Sequence, residues 1–380
     1  MNQRMFVYPW DVRDEGARTV CHRLVKAGIN SVAVATSYHA GKFLRPHAPR
    51  RKVWYTEDGT IYFRPELALY GRLKPRVAKV AEDFDALGEL ESAAPKLSRA
   101  GWSVGLHNSR LGQAFPDVVC RTAFGDPIRS ALCPAQPEVR DYLVALCVDQ
   151  SRNHPVEEVV IEAPGYQTYR HNDHHEFELI ELLPRAMSLL GFCFCPVCIA
   201  KAEAAGVDAS GLVRNACREL ERFFADGTMD ARDLVDDPDW RPFIDWRCEV
   251  VAGLVARVRA AMPDTVSLAI IPTIRTPVSL CWREGSDLAR LAQAADRLEI
   301  PIYRNGAEAS AQEMAEARAS AGPGARIGFI LRPTWPTLNG PKELDAARDA
   351  ASDAGADSVA YYNYGHLRLE SLEWIGMRDP

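Results

Sequence analysis

Three cysteines fall within six residues in the run Gly191-Phe192-Cys193-Phe194-Cys195-Pro196-Val197-Cys198. Thiolates at that spacing can converge on one tetrahedral Zn²⁺, with the intervening aromatic and proline residues stiffening the knuckle. A fourth ligand must come from elsewhere, and Cys133 in Ala131-Leu132-Cys133-Pro134 is the best candidate because it too lies in a loop. Four thiolates close the coordination sphere, so such a zinc is structural. Glu162 ends the apolar run Glu158-Val159-Val160-Ile161 and is followed by Ala163-Pro164-Gly165. A carboxyl at the mouth of a buried strand is partly desolvated, which raises its pKa and suits it to donate a proton to a leaving oxygen. Asp11, in Tyr8-Pro9-Trp10-Asp11, is expected to end the first strand. Two carboxyls are what glycosidic cleavage requires, roughly 5–5.5 Å apart for retention and roughly 6.5–9.5 Å for inversion. Asp11 is equally suited to cap the helix that follows.

His39 and His107 each follow an apolar run, placed to face a cavity as hydroxyl partners, proton relays or metal ligands. His171, Asp173, His174, His175 and Glu176 form a dense polar cluster after Glu162. A helix starting near Asp173 would set His171 and His175 on one face and recruit a metal; a solvated turn with one or two substrate contacts, through His174 for example, is the alternative. Aromatic residues crowd the same loop ends: Trp10, Tyr38, Tyr166, Tyr169, Trp282, Tyr303, Trp335, Tyr362 and Tyr364. Sugar rings stack their C–H faces on aromatic planes and need fixed donors and acceptors for their hydroxyls, which Asn108, Arg332 and Asn363 can supply.

Strand-like runs at 6–10, 31–35, 103–106, 158–161, 266–271, 298–303, 327–331 and 359–362 alternate with helical patterns, among them 14–27, 137–151 and 243–262. Regular alternation implies parallel strands joined by right-handed crossovers. Eight such units predict an α/β fold, a (β/α)8 TIM barrel, with long loop insertions after strands two and four, at about 38–85 and 163–240. An open doubly wound sheet would call for a glycine-rich phosphate turn after an early strand, and G-x-G-x-x-G is missing there. Within the first insertion, residues 52–63 read as a hairpin turning at Asp58-Gly59. No repeat or linker divides the chain, so 1–380 is expected to be a single barrel domain.

The chain has 380 residues, 47% hydrophobic and 25% charged, with 25 Gly and 25 Pro, which excludes collagen-like, coiled-coil and disordered classes. With 45 Lys plus Arg against 51 Asp plus Glu and a net charge of -6, there is no basic tract to attract nucleic acid or an anionic membrane. No apolar stretch approaches the roughly 20 residues that span a bilayer. Met1-Asn2-Gln3-Arg4 runs into residues 6–10 with no room for a secretory core, so a cytoplasmic location is expected. Ten cysteines in that compartment read as buried hydrophobes, as at Cys21, Cys147, Cys217 and Cys248, or as metal ligands, not as disulfides.

Cys133-Pro134 ahead of the fourth strand, Glu162 at its end, then Cys193-x-Cys195-x-x-Cys198 resembles the family 42 β-galactosidases and related glycoside hydrolase-like barrels. The resemblance covers about residues 100–260 and extends to the Arg247-Cys248-Glu249-Val250-Val251 helix. It implies a structural zinc on the four cysteines and Glu162 as general acid/base. Two departures stand out. Ile161 occupies the position of the Asn that precedes the family's acid/base, and Phe329-Ile330-Leu331-Arg332-Pro333-Thr334 carries no carboxylate where the nucleophile is expected. The leading expectation is therefore a glycoside hydrolase-like enzyme acting on a small-molecule carbohydrate. The alternatives are a metal-dependent sugar lyase or isomerase, with a second, catalytic metal on Glu162, His39, His107 or the 171–176 cluster, and a sugar-binding barrel without chemistry. Neither nucleic acid nor membrane is expected as a partner, while a homo-oligomer is compatible with the resemblance.

Overall fold

The computed structural model describes residues 1–171, 178–274 and 277–377. Eight strands, β1 (Asn2–Val7), β2 (Ser31–Tyr38), β3 (Ser98–Val104), β4 (Glu158–Glu162), β5 (Ser267–Ile271), β6 (Arg297–Pro301), β7 (Ile327–Leu331) and β8 (Ser358–Tyr361), pair in parallel with their sequence neighbours. β1 pairs with both β2 and β8, at Arg4↔Ser31 and Asn2↔Ser358, so the sheet closes on itself. This is the (β/α)8 barrel that the alternation of elements predicts. Among the described residues no single helix is long and apolar enough to cross a membrane.

Period-two burial explains how each strand serves two cores. Val159 and Ile161 of β4 face the surrounding helices, whereas Val160 joins Phe6, Ala33, Ala100, Trp102, Ala269 and Ala360 inside the ring. The small alanines make room for Phe6 and Trp102, whose rings meet edge-on at 5.1 Å. Helices cover the outside with apolar stripes, as in Ala17–Lys26, which buries Ala17, Val20, Cys21 and Leu24.

Three local expectations change. β1 stops at Val7, because Pro9 begins a helix, Pro9–Glu15, in which proline's missing N–H is no loss. Asp11 consequently sits in a first helical turn, not at a strand end. β3 starts at Ser98, ahead of the run expected at 103–106, and takes in Ala100-Gly101; Gly101 is required there, since a Cβ would lie 2.5 Å from Gln150 Oε1 of the covering helix. The chain does turn at Asp58-Gly59, with Gly59 at φ +57°, but its two arms do not pair with each other. Val53–Thr56 pairs with Gly41–Leu44, and Thr60–Ile61 runs antiparallel to β2.

Candidate active site

The C-terminal end of the barrel opens into a cavity of about 330 Å³. Glu162, the last residue of β4, reaches into it, and Trp102 Nε1 on neighbouring β3 donates to Glu162 Oε2 at 2.7 Å. The indole is itself locked between the rings of Phe6, Tyr38 and Tyr362, so the carboxyl is held in one orientation. Burial pushes the Glu162 pKa up to about 7, against the downward pull of the Trp102 hydrogen bond and, less strongly, of Arg332. A carboxyl titrating near neutrality can give and take a proton at the working pH. The backbone turns sharply after it: Ala163 has φ +52°, a left-handed conformation that a residue with a Cβ adopts at a cost. A Cβ on Gly165 would lie 2.1 Å from the Glu284 carbonyl, so this loop is pressed against the segment after β5.

Aromatic side chains make the cavity wall. The hydroxyls of Tyr8, Tyr38 and Tyr362 form a closed triangle with separations of 3.1, 2.8 and 3.3 Å, and burial keeps all three phenols neutral. Arg332, just past β7, lays its guanidinium over Tyr303 at 3.5 Å from the ring centre and faces the same cavity. Flat apolar faces beside fixed donors are the features that bind a sugar ring.

Three histidines complete one side of the mouth. His39 stacks on His107 at 4.4 Å, and His107 Nδ1 lies 3.3 Å from His171 Nε2. His39 and His171 line the cavity with Glu162. Behind β4 the four predicted thiols meet: Cys133 Sγ lies 3.4 Å from Cys198, 3.8 Å from Cys193 and 3.7 Å from Cys195, all of them buried. Tetrahedral Zn–S bonds of about 2.3 Å put the sulfurs about 3.8 Å apart, so this donor set fits a metal ion. A fifth thiol, Cys120, hydrogen-bonds with Cys133 and Cys193. The cluster also braces the loop that follows Glu162. Tyr166 Oη lies 3.7 Å from Cys198 Sγ, and buried Arg247 stacks over Tyr166 and Phe192 at 4.3 and 4.2 Å.

Other expected site residues lie elsewhere. Asp11 is fully buried and accepts from Arg45 Nε at 2.8 Å, an ion pair outside the cavity lining. Trp10 stacks on Tyr8 and Trp54 inside the barrel mouth. Asn108 caps the helix Ser109–Ala114 by accepting from Leu111 N, and Tyr166 belongs to the cysteine cluster. Trp335 is 80% exposed, and Asn363 is buried with its oxygen on Gly365 N. His174 and the neighbouring Asp173, His175 and Glu176 lie outside the described residues. Trp102 and Glu284 were not anticipated. Glu284 is buried beside the cavity and accepts from Thr273, which lines it. Among the described lining residues Glu162 is the one carboxylate.

The fold is shared with solved structures. The glycoside hydrolase domain of PgaB (BpsB) from Bordetella bronchiseptica aligns over 100% of both chains with a TM-score of 0.60 at 12% identity. The β-galactosidase of the psychrophilic Marinomonas ef1 aligns over 99% of this chain with a TM-score of 0.58 at 11% identity, and that of the haloarchaeon Halorubrum lacusprofundi over 99% with a TM-score of 0.55 at 12% identity. This chain spans 58% and 57% of those two β-galactosidases. No family profile and no curated protein sequence matches the chain.

Proposed function

We propose that the protein is a glycoside hydrolase-like enzyme acting on a small carbohydrate or glycoside, with Glu162 as its general acid/base. The observation that carries this is a carboxyl at the end of β4, set in an aromatic cavity and titrating near neutrality. The solved barrels of similar fold bear glycoside hydrolase and β-galactosidase names, and the order Cys133, Glu162, Cys193-x-Cys195-x-x-Cys198 resembles family 42. In this reading protonated Glu162 delivers its proton to the glycosidic oxygen, while Arg332 and the tyrosine hydroxyls orient the ring. The four cysteines would hold a structural zinc that stiffens the β4 loop; its role is to fix Tyr166 and what precedes it. A Glu nucleophile from β7 has no counterpart, since Arg332 fills that position, so any second carboxyl must come from another loop. A metal-dependent lyase or isomerase is a second reading, favoured by the converging imidazoles at the cavity edge.

Glu162→Gln decides between proton donation and mere packing. On a matched aryl glycoside with a poor leaving group, kcat should fall roughly 10²–10⁴-fold. With a dinitrophenyl leaving group, which needs no proton, the loss should shrink to a few-fold. Wild-type kcat/KM should decline as pH rises through about 7, because the acid must carry its proton in the free enzyme. Equal turnover by wild type and variant on the poor leaving group would overturn the assignment.

A further inference from the structure

We propose that His39, His107 and His171 form a three-imidazole site for a divalent first-row transition metal, with its open coordination positions facing the cavity. The three residues leave different loops, after β2, after β3 and after β4, yet one ring nitrogen of each lies within 4.8 Å of the other two. Local sequence does not bring them together; the closure of the barrel does. The chain has only 9 histidines, so three of them meeting at one point of the rim calls for a cause. Tetrahedral Zn–N bonds of about 2.0–2.1 Å put ligand nitrogens about 3.3–3.4 Å apart. His107 Nδ1 and His171 Nε2 are already 3.3 Å apart.

The surroundings supply the orientation that a metal ligand needs. His39 Nδ1 lies 2.6 Å from the Ala40 carbonyl, and a carbonyl can only accept. The proton is therefore on Nδ1, and in the neutral ring the lone pair is on Nε2. A backbone carbonyl on the second nitrogen is the usual support for an imidazole that binds metal. The His39 and His107 rings stack with 14° between their planes, so one of them must turn about its side-chain bonds to bring both in-plane lone pairs onto one ion.

The cation expected differs from the one suited to the cysteines. Neutral imidazoles suit Zn²⁺, Ni²⁺, Co²⁺ or Cu²⁺ and leave the ion its full charge, whereas four thiolates more than neutralise it and close the sphere. The three ligands among the described residues leave at least one position for water or a substrate oxygen. Since His39 and His171 border the cavity that holds Glu162, the ligand class is an oxygen-rich small molecule that offers a hydroxyl, carbonyl or carboxylate to the metal. The inference concerns the same cavity as the proposed hydrolysis but does not rest on it.

Its test reads metal, not turnover. Purified full-length protein is stripped with chelator and dialysed against Co²⁺ or Zn²⁺, and the ions are counted by elemental analysis. The wild type should retain about one ion per chain more than the His39→Ala/His171→Ala variant. With Co²⁺, that ion should contribute a visible band without the near-ultraviolet thiolate charge transfer of a cysteine site. Both substituted residues are only partly buried, so the fold should survive, and circular dichroism with a melting curve verifies it. A second pair, His39→Gln and His171→Gln, repeats the count with smaller packing changes. Equal ion counts in wild type and folded variants, or a cobalt spectrum unchanged by these substitutions, would show that the imidazoles bind no metal and would overturn the proposal.

Discussion

Glu158 and Glu162 stand at opposite ends of one five-residue strand, both facing the barrel interior. Their surroundings are opposite. At the N-terminal end Arg4 and Arg297 enclose Glu158 and Glu299: Arg297 lies 2.8 Å from Glu158 and 2.6 Å from Glu299, while Arg4 bridges both carboxylates and donates to Ser31 Oγ. Burial opposes ionisation of Glu158, but the two guanidinium groups outweigh it and hold its pKa below the usual value. At the C-terminal end the same residue type meets an indole N–H and an open cavity, and burial wins. One end of the ring is thus a closed ionic plug, and the other keeps a carboxyl ready to exchange its proton. In barrels of this kind stability resides at the first end and chemistry at the second. The difference teaches that desolvation raises a carboxyl pKa unless enough compensation outweighs it: two guanidinium groups suffice at Glu158, whereas Asp11, paired with Arg45, is still pushed up to about 6.

The largest break in this comparison should come from the plug. Arg4→Met leaves Glu158 and Glu299 sharing Arg297 in a buried site, and should cost about 3–5 kcal/mol in urea unfolding. Because the Glu158 pKa is lowered in the folded state, its contribution is complete above the unfolded-state value and is lost as pH falls through the folded one. A loss below about 1 kcal/mol would mean that the plug is not what secures this end. Glu162→Gln should act with the opposite sign. The folded state keeps a proton on Glu162 that the unfolded chain has released, so wild-type stability declines between the ordinary carboxyl value and about 7. Glutamine has no proton to lose, so the variant should be about 1–3 kcal/mol more stable than wild type near pH 8.5 and about equal to it near pH 4. A variant less stable at the higher pH would show that Glu162 is compensated after all.

The two ends also differ in how readable they are. The C-terminal end was legible because its residues close apolar runs: Glu162 and Tyr38 end strands, and His39, His107 and Arg332 follow strands, that β-branched composition reveals. The cysteines were legible from spacing, and the fold brings Cys133 to the other three across 60 residues or more. Trp102 escaped because its strand was expected to begin at Ser103; once β3 starts at Ser98, alternation turns Trp102 inward. Asp11 misled for a related reason, since proline moved the helix start ahead of it and Arg45 claimed its carboxylate. His171 was read within a polar cluster, either on one helix face with His175 or in a solvated turn; His175 lies outside the described residues, and among those described His171 meets His39 and His107, an encounter set by three loops. The plug was invisible: Arg4, Glu158, Arg297 and Glu299 lie on three strands, and only the register of a closed sheet shows that they share a layer.

The finest test of the contrast adjusts the compensation at the open end without abolishing it. The Trp102 hydrogen bond lowers the Glu162 pKa more than the Arg332 charge does. Trp102→Phe should therefore raise that pKa further than Arg332→Gln, although it also empties part of a packed interior, with Trp102 fully buried. Arg332→Gln is the cleaner change, because the guanidinium stacks on Tyr303 at the cavity edge and its replacement leaves the indole in place. Its field acts on Glu162 through protein and solvent, so the expected rise is small, on the order of half a pH unit. The protonated carboxyl band in infrared difference spectra, assigned by its absence from Glu162→Gln, reports the titration without any substrate. An upward move confirms that Arg332 compensates Glu162 weakly and from a distance, in contrast to the direct clasp of Arg297 on Glu158. A titration that does not move, or moves down, would mean that Trp102 alone balances the desolvation of Glu162.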